Sequence, residues 1–297
     1  MSSKQSADSL INPQKVEQEK GSVVLIKYGG NAMVEQTSKE NVIADIRILK
    51  ENGLHPVIVH GGGPAIKQLL GDVGKESEFI GGHRKTDEDA MGYVEMALSG
   101  NVNGEIVKLL NNAGCDAVGI TGKDGNMVTA VKRHHEVEVD GKQQVIDLGH
   151  VGNVSRVNTR LIKTLLENDY IPVIAPIGFG EDLKDYNINA DMFAGHLAGA
   201  LQVDHFILLT DVDGLMADID DPDSIIRELT TDQADNEMGR SIQGGMIPKV
   251  ESCIIALKEG VHRAHIVNGM RPNPLTKAVL GTEPMGTLIV NKNESAD

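Results

Sequence analysis

Two short apolar runs, each closing on a cluster of glycines, constrain this chain more than any other feature. The first is Val23-Val24-Leu25-Ile26-Lys27-Tyr28-Gly29-Gly30, and the second is Pro56-Val57-Ile58-Val59-His60-Gly61-Gly62-Gly63-Pro64. A continuous apolar run of this length reads as a strand buried on both faces. Glycine lets the backbone approach a ligand closely, and the N–H groups of a helix start point at any anion placed there. Either turn alone is an ordinary strand-to-helix connection. Together, with a lysine in one of them, they look like a cradle for a phosphoryl group in transit.

Composition narrows the partners. Aromatic residues make up 3% of the chain and tryptophan is absent, which argues against a stacking platform for nucleic acid. A formal net charge of −15 argues against any polyanionic partner, so the field for an anionic substrate must come from local cations and helix ends. The two cysteines, Cys115 and Cys253, sit in apolar stretches and read as reduced core thiols. No apolar run reaches a membrane span and the N-terminus lacks the apolar core of a signal peptide, so a cytoplasmic protein with no membrane partner is expected.

Along the chain, apolar periods alternate between strand and helix. Residues 1–21 are polar and read as a tail or a short helix docking on a partner subunit. Helices are expected over 39–52, from Pro64 onward, over 86–98 behind a capping box at Thr86-Asp87-Glu88-Asp89, over 102–112, over 190–201 and over 248–259. Strands are expected at 206–210, 265–267 and 287–290, with one or two hairpins over 117–150 at the sheet edge. Strands alternating with helices imply an α/β fold: an open, mainly parallel central sheet sandwiched by helices. Two lobes sharing that sheet are expected, 22–182 and 183–297, with the seam between Gly178 and Asp185.

Familiar signatures fail. There is no P-loop, and Gly178-Phe179-Gly180 meets Leu183 where a dinucleotide fingerprint needs Gly or Ala. The acid-rich stretch 211–223 lacks the order of a calcium loop. The positive candidates are more informative. Lys27 at the end of a buried strand should face an anion, since an unpaired buried lysine is costly. Arg84, in Gly81-Gly82-His83-Arg84-Lys85-Thr86-Asp87, suits bidentate capture of a carboxylate, though a surface arginine bonding loop carbonyls fits equally well. Asn187-Ile188-Asn189-Ala190-Asp191 aims three polar side chains to one side of an extended segment, where a helix N-cap explains only one. Gly244-Gly245-Met246-Ile247-Pro248-Lys249 puts a lysine in a helix's first turn, against the dipole, which a bound anion would explain.

In this order and spacing, these strings resemble the amino acid kinase family, most closely its arginine-biosynthetic branch, across residues 23–290. The resemblance rests also on Leu208-Leu209-Thr210-Asp211-Val212-Asp213-Gly214. It implies transfer of the ATP γ-phosphoryl group to the side-chain carboxylate of an N-acylated acidic amino acid, N-acetyl-L-glutamate, with Mg²⁺ held mainly by phosphates and water. By that resemblance Lys27 and Lys249 flank the transferring group and Asp191 orients both. Backbone N–H groups around Gly30 and Gly62 act like an oxyanion hole. Arg84 clamps the α-carboxylate, with Asn187, Gly62 and Gly63 fixing the rest of the acceptor and Asn189 standing behind. Gly29, Gly30, Asp211, Gly214, Gly245 and Met246 serve the nucleotide. No dedicated metal ligand is implied.

Three departures stand out. Lys85 replaces the valine common after the clamp arginine, which leaves open a paralogous kinase for another N-acylated or carrier-linked acidic amino acid, or a lysine that points to solvent. Ala278 and Pro284 stand where arginine-inhibited relatives carry a glutamate and a glycine. The N-terminal segment lacks the aromatic helix that links dimers of such relatives into hexamers. Weak or absent feedback inhibition by arginine and a homodimer are therefore expected. A catalytically silent regulatory subunit is the reading from another class, opposed by Lys27, Asp191 and Lys249 together.

Overall fold

The computed structural model describes residues 10–139, 142–218, 221 and 223–291. The strands that carry the architecture are β1 (Val23–Tyr28), β2 (His55–His60), β3 (Ala117–Thr121), β4 (Val128–Val139), β5 (Lys142–Val157) and β6 (Ile171–Ala175). They continue with β7 (Ile177–Gly180), β8 (Asp185–Ile188), β9 (His205–Thr210), β10 (Glu228–Thr230), β11 (Arg263–Asn268) and β12 (Thr287–Val290). The helices are α1 (Pro13–Glu19), α2 (Gln36–Glu51), α3 (Gly63–Asp72), α4 (Glu88–Glu95) and α5 (Asn103–Asn112). Then come α6 (Arg160–Glu167), α7 (Ala190–Leu201), α8 (Thr231–Glu237), α9 (Ile247–Lys258) and α10 (Pro274–Leu280).

Eight strands form one sheet in the order β10-β12-β11-β9-β1-β2-β6-β3. It is parallel except at one side, where β12 runs antiparallel to β11 and carries β10 with it. The central strands are buried on both faces, as their unbroken Val/Ile/Leu runs require. From β1 the chain moves to β2 on one side, whereas β9 later enters on the other. That reversal makes the carboxyl ends of β1 and β9 the natural ligand crevice of an open α/β sheet.

Strand parity decides which residues reach the crevice from which side. Val24, Ile26 and Tyr28 pack with Val42, Ile46 and Leu49 of α2. Leu25 points the other way, into the layer holding Phe193 and Ala194 of α7 and Val250 and Cys253 of α9. Lys27 shares Leu25's parity and so emerges on the α7–α9 side. Cys115 and Cys253 are both buried free thiols.

Three local expectations need correction. The hairpin β4–β5 is not an edge of the main sheet; with β7 and β8 it closes a separate four-stranded sheet. Only β3 of the 117–150 stretch joins the main sheet, as its edge. The helices expected over 86–98 and 102–112 are continuous, joined by a π-helical stretch, Met96–Val102. The cap of α4 is Asp87, which accepts from the Ala90 N–H at 2.7 Å, while the Thr86 hydroxyl donates to the Arg84 carbonyl. Within the tail, α1 docks on its own chain: Glu19 pairs with Arg263 at 3.0 Å and lies 2.8 Å from His205 Nε2. Residues 1–9 lie outside the described residues. Among the described residues no helix is long and apolar enough to cross a membrane.

Candidate active site

The two glycine turns are neighbours because β1 and β2 pair in parallel, with Tyr28 opposite His60. The Gly61 N–H donates to the Tyr28 carbonyl at 2.8 Å, which ties one turn to the other. Gly30 has φ +69°, a left-handed conformation that glycine alone adopts without cost, and its missing side chain faces open space. Gly29 is extended, but a side chain there would sit 2.6 Å from Lys27 Nζ. The lysine folds back over its own turn. On the other side, a Cβ on Gly62 would meet Leu98 at 2.4 Å, whereas Gly63 opens α3 with free space beside it. The first N–H groups of α3 have no acceptor within the helix, so this turn offers donors to an anion.

Asp191 is the centre of the site. It is 5% exposed, in the first turn of α7, and lies between two lysines from separate elements. Lys249, from the first turn of α9, donates to Oδ2 at 3.0 Å. Lys27 Nζ stands 2.9 Å from Oδ1, off the line of a hydrogen bond, so that contact is ionic. Burial alone would raise the Asp191 carboxyl, but Lys27 and Lys249 outweigh it and hold it below its ordinary value. Burial also pulls the Lys27 ammonium below its ordinary value, helped by Lys249 and opposed by Asp191 and Asp211. One carboxylate thus holds two cations that would otherwise repel. Their sum is positive, in a site framed by backbone N–H donors.

Arg84 stands at the second turn. It is buried, donates to the Gly63 carbonyl at 3.2 Å and to the Ser77 hydroxyl, and its guanidinium lies 4.6 Å from the Phe79 ring centroid. Burial lowers its pKa from the ordinary value. Lys85 faces the opposite way and pairs with Glu78 on the neighbouring rung at 3.0 Å, with 45% of its side chain exposed. Arg84 and Lys85 therefore point to different environments, as successive residues of an extended ribbon must.

The remaining expected residues divide. Asn189 caps α7, its Oδ1 accepting from the N–H groups of Asp191 and Met192. This capping fixes the helix start that carries Asp191. Asn187 lies in β8, two residues ahead on the same strand face, and is half-buried. Asp211 follows β9 directly, and Asn31 beside the first turn donates to it at 3.2 Å. Gly245 and Met246 form the tight turn into α9, with open space beside Gly245. Gly214 has other neighbours: a Cβ there would meet Thr287 at 2.7 Å and Gly286 and Ile225 at 3.2 Å, with neither lysine among them. Among the described residues no group of three His, Cys, Asp or Glu side chains gathers as a metal cage.

Sequence reasoning missed Asn31, Ser77, His60 and Asn103. Asn31 follows the first glycine turn directly and His60 lies inside the second string, but single polar residues carry no period to read. His60 and Asn103 form a buried pair beneath the second turn.

A model of the amino acid kinase family matches residues 22–268. The chain belongs to the amino acid kinase family. Within that family it is 46% identical over 271 residues to the acetylglutamate kinase of Moorella thermoacetica, spanning 91% of this chain and 92% of that one. It is 47% identical over 273 residues to the acetylglutamate kinase of Syntrophobacter fumaroxidans, spanning 91% of both. Among solved structures, N-acetylglutamate synthase from Neisseria gonorrhoeae, complexed with coenzyme A and N-acetyl-glutamate, superposes with a TM-score of 0.77 at 23% identity. That match covers 94% of this chain and 62% of the longer one, and it speaks for the fold alone.

Proposed function

We propose that this chain transfers the γ-phosphoryl group of ATP to the side-chain carboxylate of N-acetyl-L-glutamate, an early step of arginine biosynthesis. The observation that carries the reading is the buried Asp191 holding Lys27 and Lys249 together, with Lys27 folded over the first of two adjoining glycine turns. The acceptor carboxylate is already ionised at neutral pH, so no general base is required. Its oxygen forms the new O–P bond as the bond between the γ-phosphorus and the β,γ-bridging oxygen breaks, and ADP leaves with that electron pair. Catalysis then consists of in-line placement and charge neutralisation.

The residues take their parts accordingly. Lys27 and Lys249 neutralise the transferring group, and Asp191 keeps them charged and correctly spaced. The amides around Gly30 and Gly62 supply donors to the equatorial oxygens. Arg84 takes the acceptor's α-carboxylate, with Gly62, Gly63 and Asn187 completing that side and Asn189 acting through its cap on α7. Gly29, Gly30, Asp211, Gly245 and Met246 border the nucleotide. Mg²⁺ would accompany ATP and supply charge neutralisation, held mainly by phosphate oxygens and water, since no His, Cys, Asp or Glu cage gathers among the described residues. Residues 22–182 make up the acceptor and dimerisation lobe and 183–297 the nucleotide lobe. The basic unit is a homodimer working in the cytoplasm, with weak or absent feedback inhibition by arginine.

The test is acyl phosphate formation trapped by hydroxylamine, across N-acetylglutamate, glutamate, aspartate and aminoadipate derivatives. Selective turnover of N-acetylglutamate is expected. Preference for free glutamate, or no turnover, overturns the reading.

A further inference from the structure

Beneath the second glycine turn lies a polar pair that the reaction as described does not use. His60 is the last residue of β2 and fully buried, with Tyr28 and Ile58 on the face turned away from the lysines. Its Nδ1 lies 2.8 Å from the Gly61 carbonyl and its Nε2 lies 3.1 Å from Asn103 Nδ2. Asn103 follows directly on the π-helical stretch, and its amide also donates to the Val173 carbonyl at 2.9 Å. An amide nitrogen is a donor only, so Nε2 accepts, and Nδ1 carries the proton and donates to Gly61. Burial holds His60 down to about 4, so the imidazole stays neutral and keeps this tautomer at neutral pH.

The consequence follows from peptide geometry. The Gly61 carbonyl and the Gly62 N–H belong to one planar unit, and in a trans peptide they point in opposite directions. All peptide bonds among the described residues are trans. Anchoring that carbonyl under the sheet therefore aims the Gly62 N–H up and away from it. Without an anchor, a run of three glycines has the widest choice of backbone conformations of any tripeptide. The same stretch supports the turn by packing, since a Cβ on Gly62 would meet Leu98 at 2.4 Å and Val102 at 3.4 Å. π-helical insertions commonly mark functional positions, and here the insertion delivers both the packing side chains and Asn103.

We infer that His60, held by Asn103, is a positioning residue that fixes the Gly61–Gly62 peptide so that the Gly62 N–H points at the transferring phosphoryl group. The inference rests on the phosphoryl-transfer reading for what the amide does, and on geometry alone for how it is held. Preorganised donors of this kind act on the transition state, so losing the anchor should lower kcat more than substrate affinity.

The experiment compares His60→Leu, His60→Gln and His60→Asn in the full chain. Asparagine places its amide nitrogen where Nδ1 stands and can still donate to Gly61. Glutamine reaches towards Asn103 instead, and leucine fills the space without a donor. The expected kcat for N-acetylglutamate falls roughly 10- to 100-fold in the leucine and glutamine variants, with KM little changed, and largely recovers in the asparagine variant. A merely structural role would make kcat follow thermal stability instead of donor position. Should the leucine variant not fold, the glutamine variant takes its place. The Gly62 amide resonance of ¹⁵N-glycine-labelled protein gives a reading independent of turnover: shifted or broadened in leucine and glutamine, native-like in asparagine. Native kcat in the leucine variant, or equal loss in leucine and asparagine, overturns the inference while leaving the function intact. If the native protein turns over no acceptor, the functional reading falls and the resonance still decides the anchor.

Discussion

Replacing Asp191 by asparagine removes the one negative charge that lies between Lys27 and Lys249, at 2.9 and 3.0 Å, in a site almost closed to water. Removing one member of a buried ion pair costs about 3–5 kcal/mol, because the partner is left charged and unpaired. Here two partners are left, and they repel each other. For a chain of this size the loss corresponds to a drop in Tm on the order of 10 °C. The pH dependence carries the sign. Burial and Lys249 already hold the Lys27 ammonium below its ordinary 10.5, and without Asp191 it falls further. The unfolded chain then binds a proton that the folded one sheds, so stability rises with pH. The Tm deficit of Asp191→Asn should therefore shrink as pH rises from neutral towards 10.5. Activity should move the opposite way, since the proton that destabilises the fold is the one that neutralises the phosphoryl group. A kcat lower by roughly 10²–10³ at neutral pH is expected, typical of losing an electrostatic element of a transition state. Calorimetry across pH, with kcat at each point, checks all three. A native-like Tm, or a deficit that does not change with pH, would refute the reasoning.

Gly29→Ala costs no backbone strain, because the residue is extended, but its Cβ would sit 2.6 Å from Lys27 Nζ. We expect kcat to fall more than about tenfold by displacement of the lysine, with Tm nearly native; equal kcat would show that Lys27 does not act from its observed position. Asp45 accepts from the Leu275 and Thr276 N–H groups and the Thr276 hydroxyl at the start of α10, and burial raises it from 3.8 to about 6. The folded protein holds this proton more tightly than the unfolded chain, so the native protein should lose roughly 3 kcal/mol relative to Asp45→Asn as pH rises from about 4 to about 6. Denaturation midpoints of both proteins across that window check this, and parallel curves contradict it. Lys85→Ala removes an exposed pair with Glu78 and should cost less than about 1 kcal/mol, with acceptor KM unchanged. A shifted acceptor preference would return Lys85 to the substrate site.

The legible part of the molecule is the part with a period. Unbroken Val/Ile/Leu runs marked β1, β2 and β9, and helical spacing marked α2, α7 and α9 nearly to their ends. Lys27, Asp191 and Lys249 were legible as candidates because each breaks a local rule: a lysine in a buried strand, a carboxylate in a polar triplet, a cation at a helix start. That they meet is a matter of strand order, which no local pattern encodes. Alternation over 117–150 showed extended chain with a hairpin, but not that 128–157 pairs into a sheet of its own. The π-helical stretch hid because one added residue shifts the apolar period, and the chain then looked like two helices with Gly100 between them. His60 and Asn103 carried no signal of their own, since their pairing joins residues 43 apart in the chain beneath the Gly61 carbonyl. For Lys85 the sequence left the acceptor side and solvent both open, and the exposed pair with Glu78 favours solvent. Adjacent residues on an extended ribbon face opposite ways, so the residue after the clamp need not share its pocket.

On the proposed function, an Asp191-bridged lysine pair and two glycine turns enclose the phosphoryl group in transit. A crystal structure with MgADP, aluminium fluoride and N-acetylglutamate tests it most directly. The planar fluoride should lie in line between the ADP and the acceptor carboxylate, with Lys27 and Lys249 Nζ on it and the Gly30 and Gly62 N–H groups pointing at its edge. A fluoride bound away from both lysines, or an acceptor that does not reach Arg84, would contradict the account.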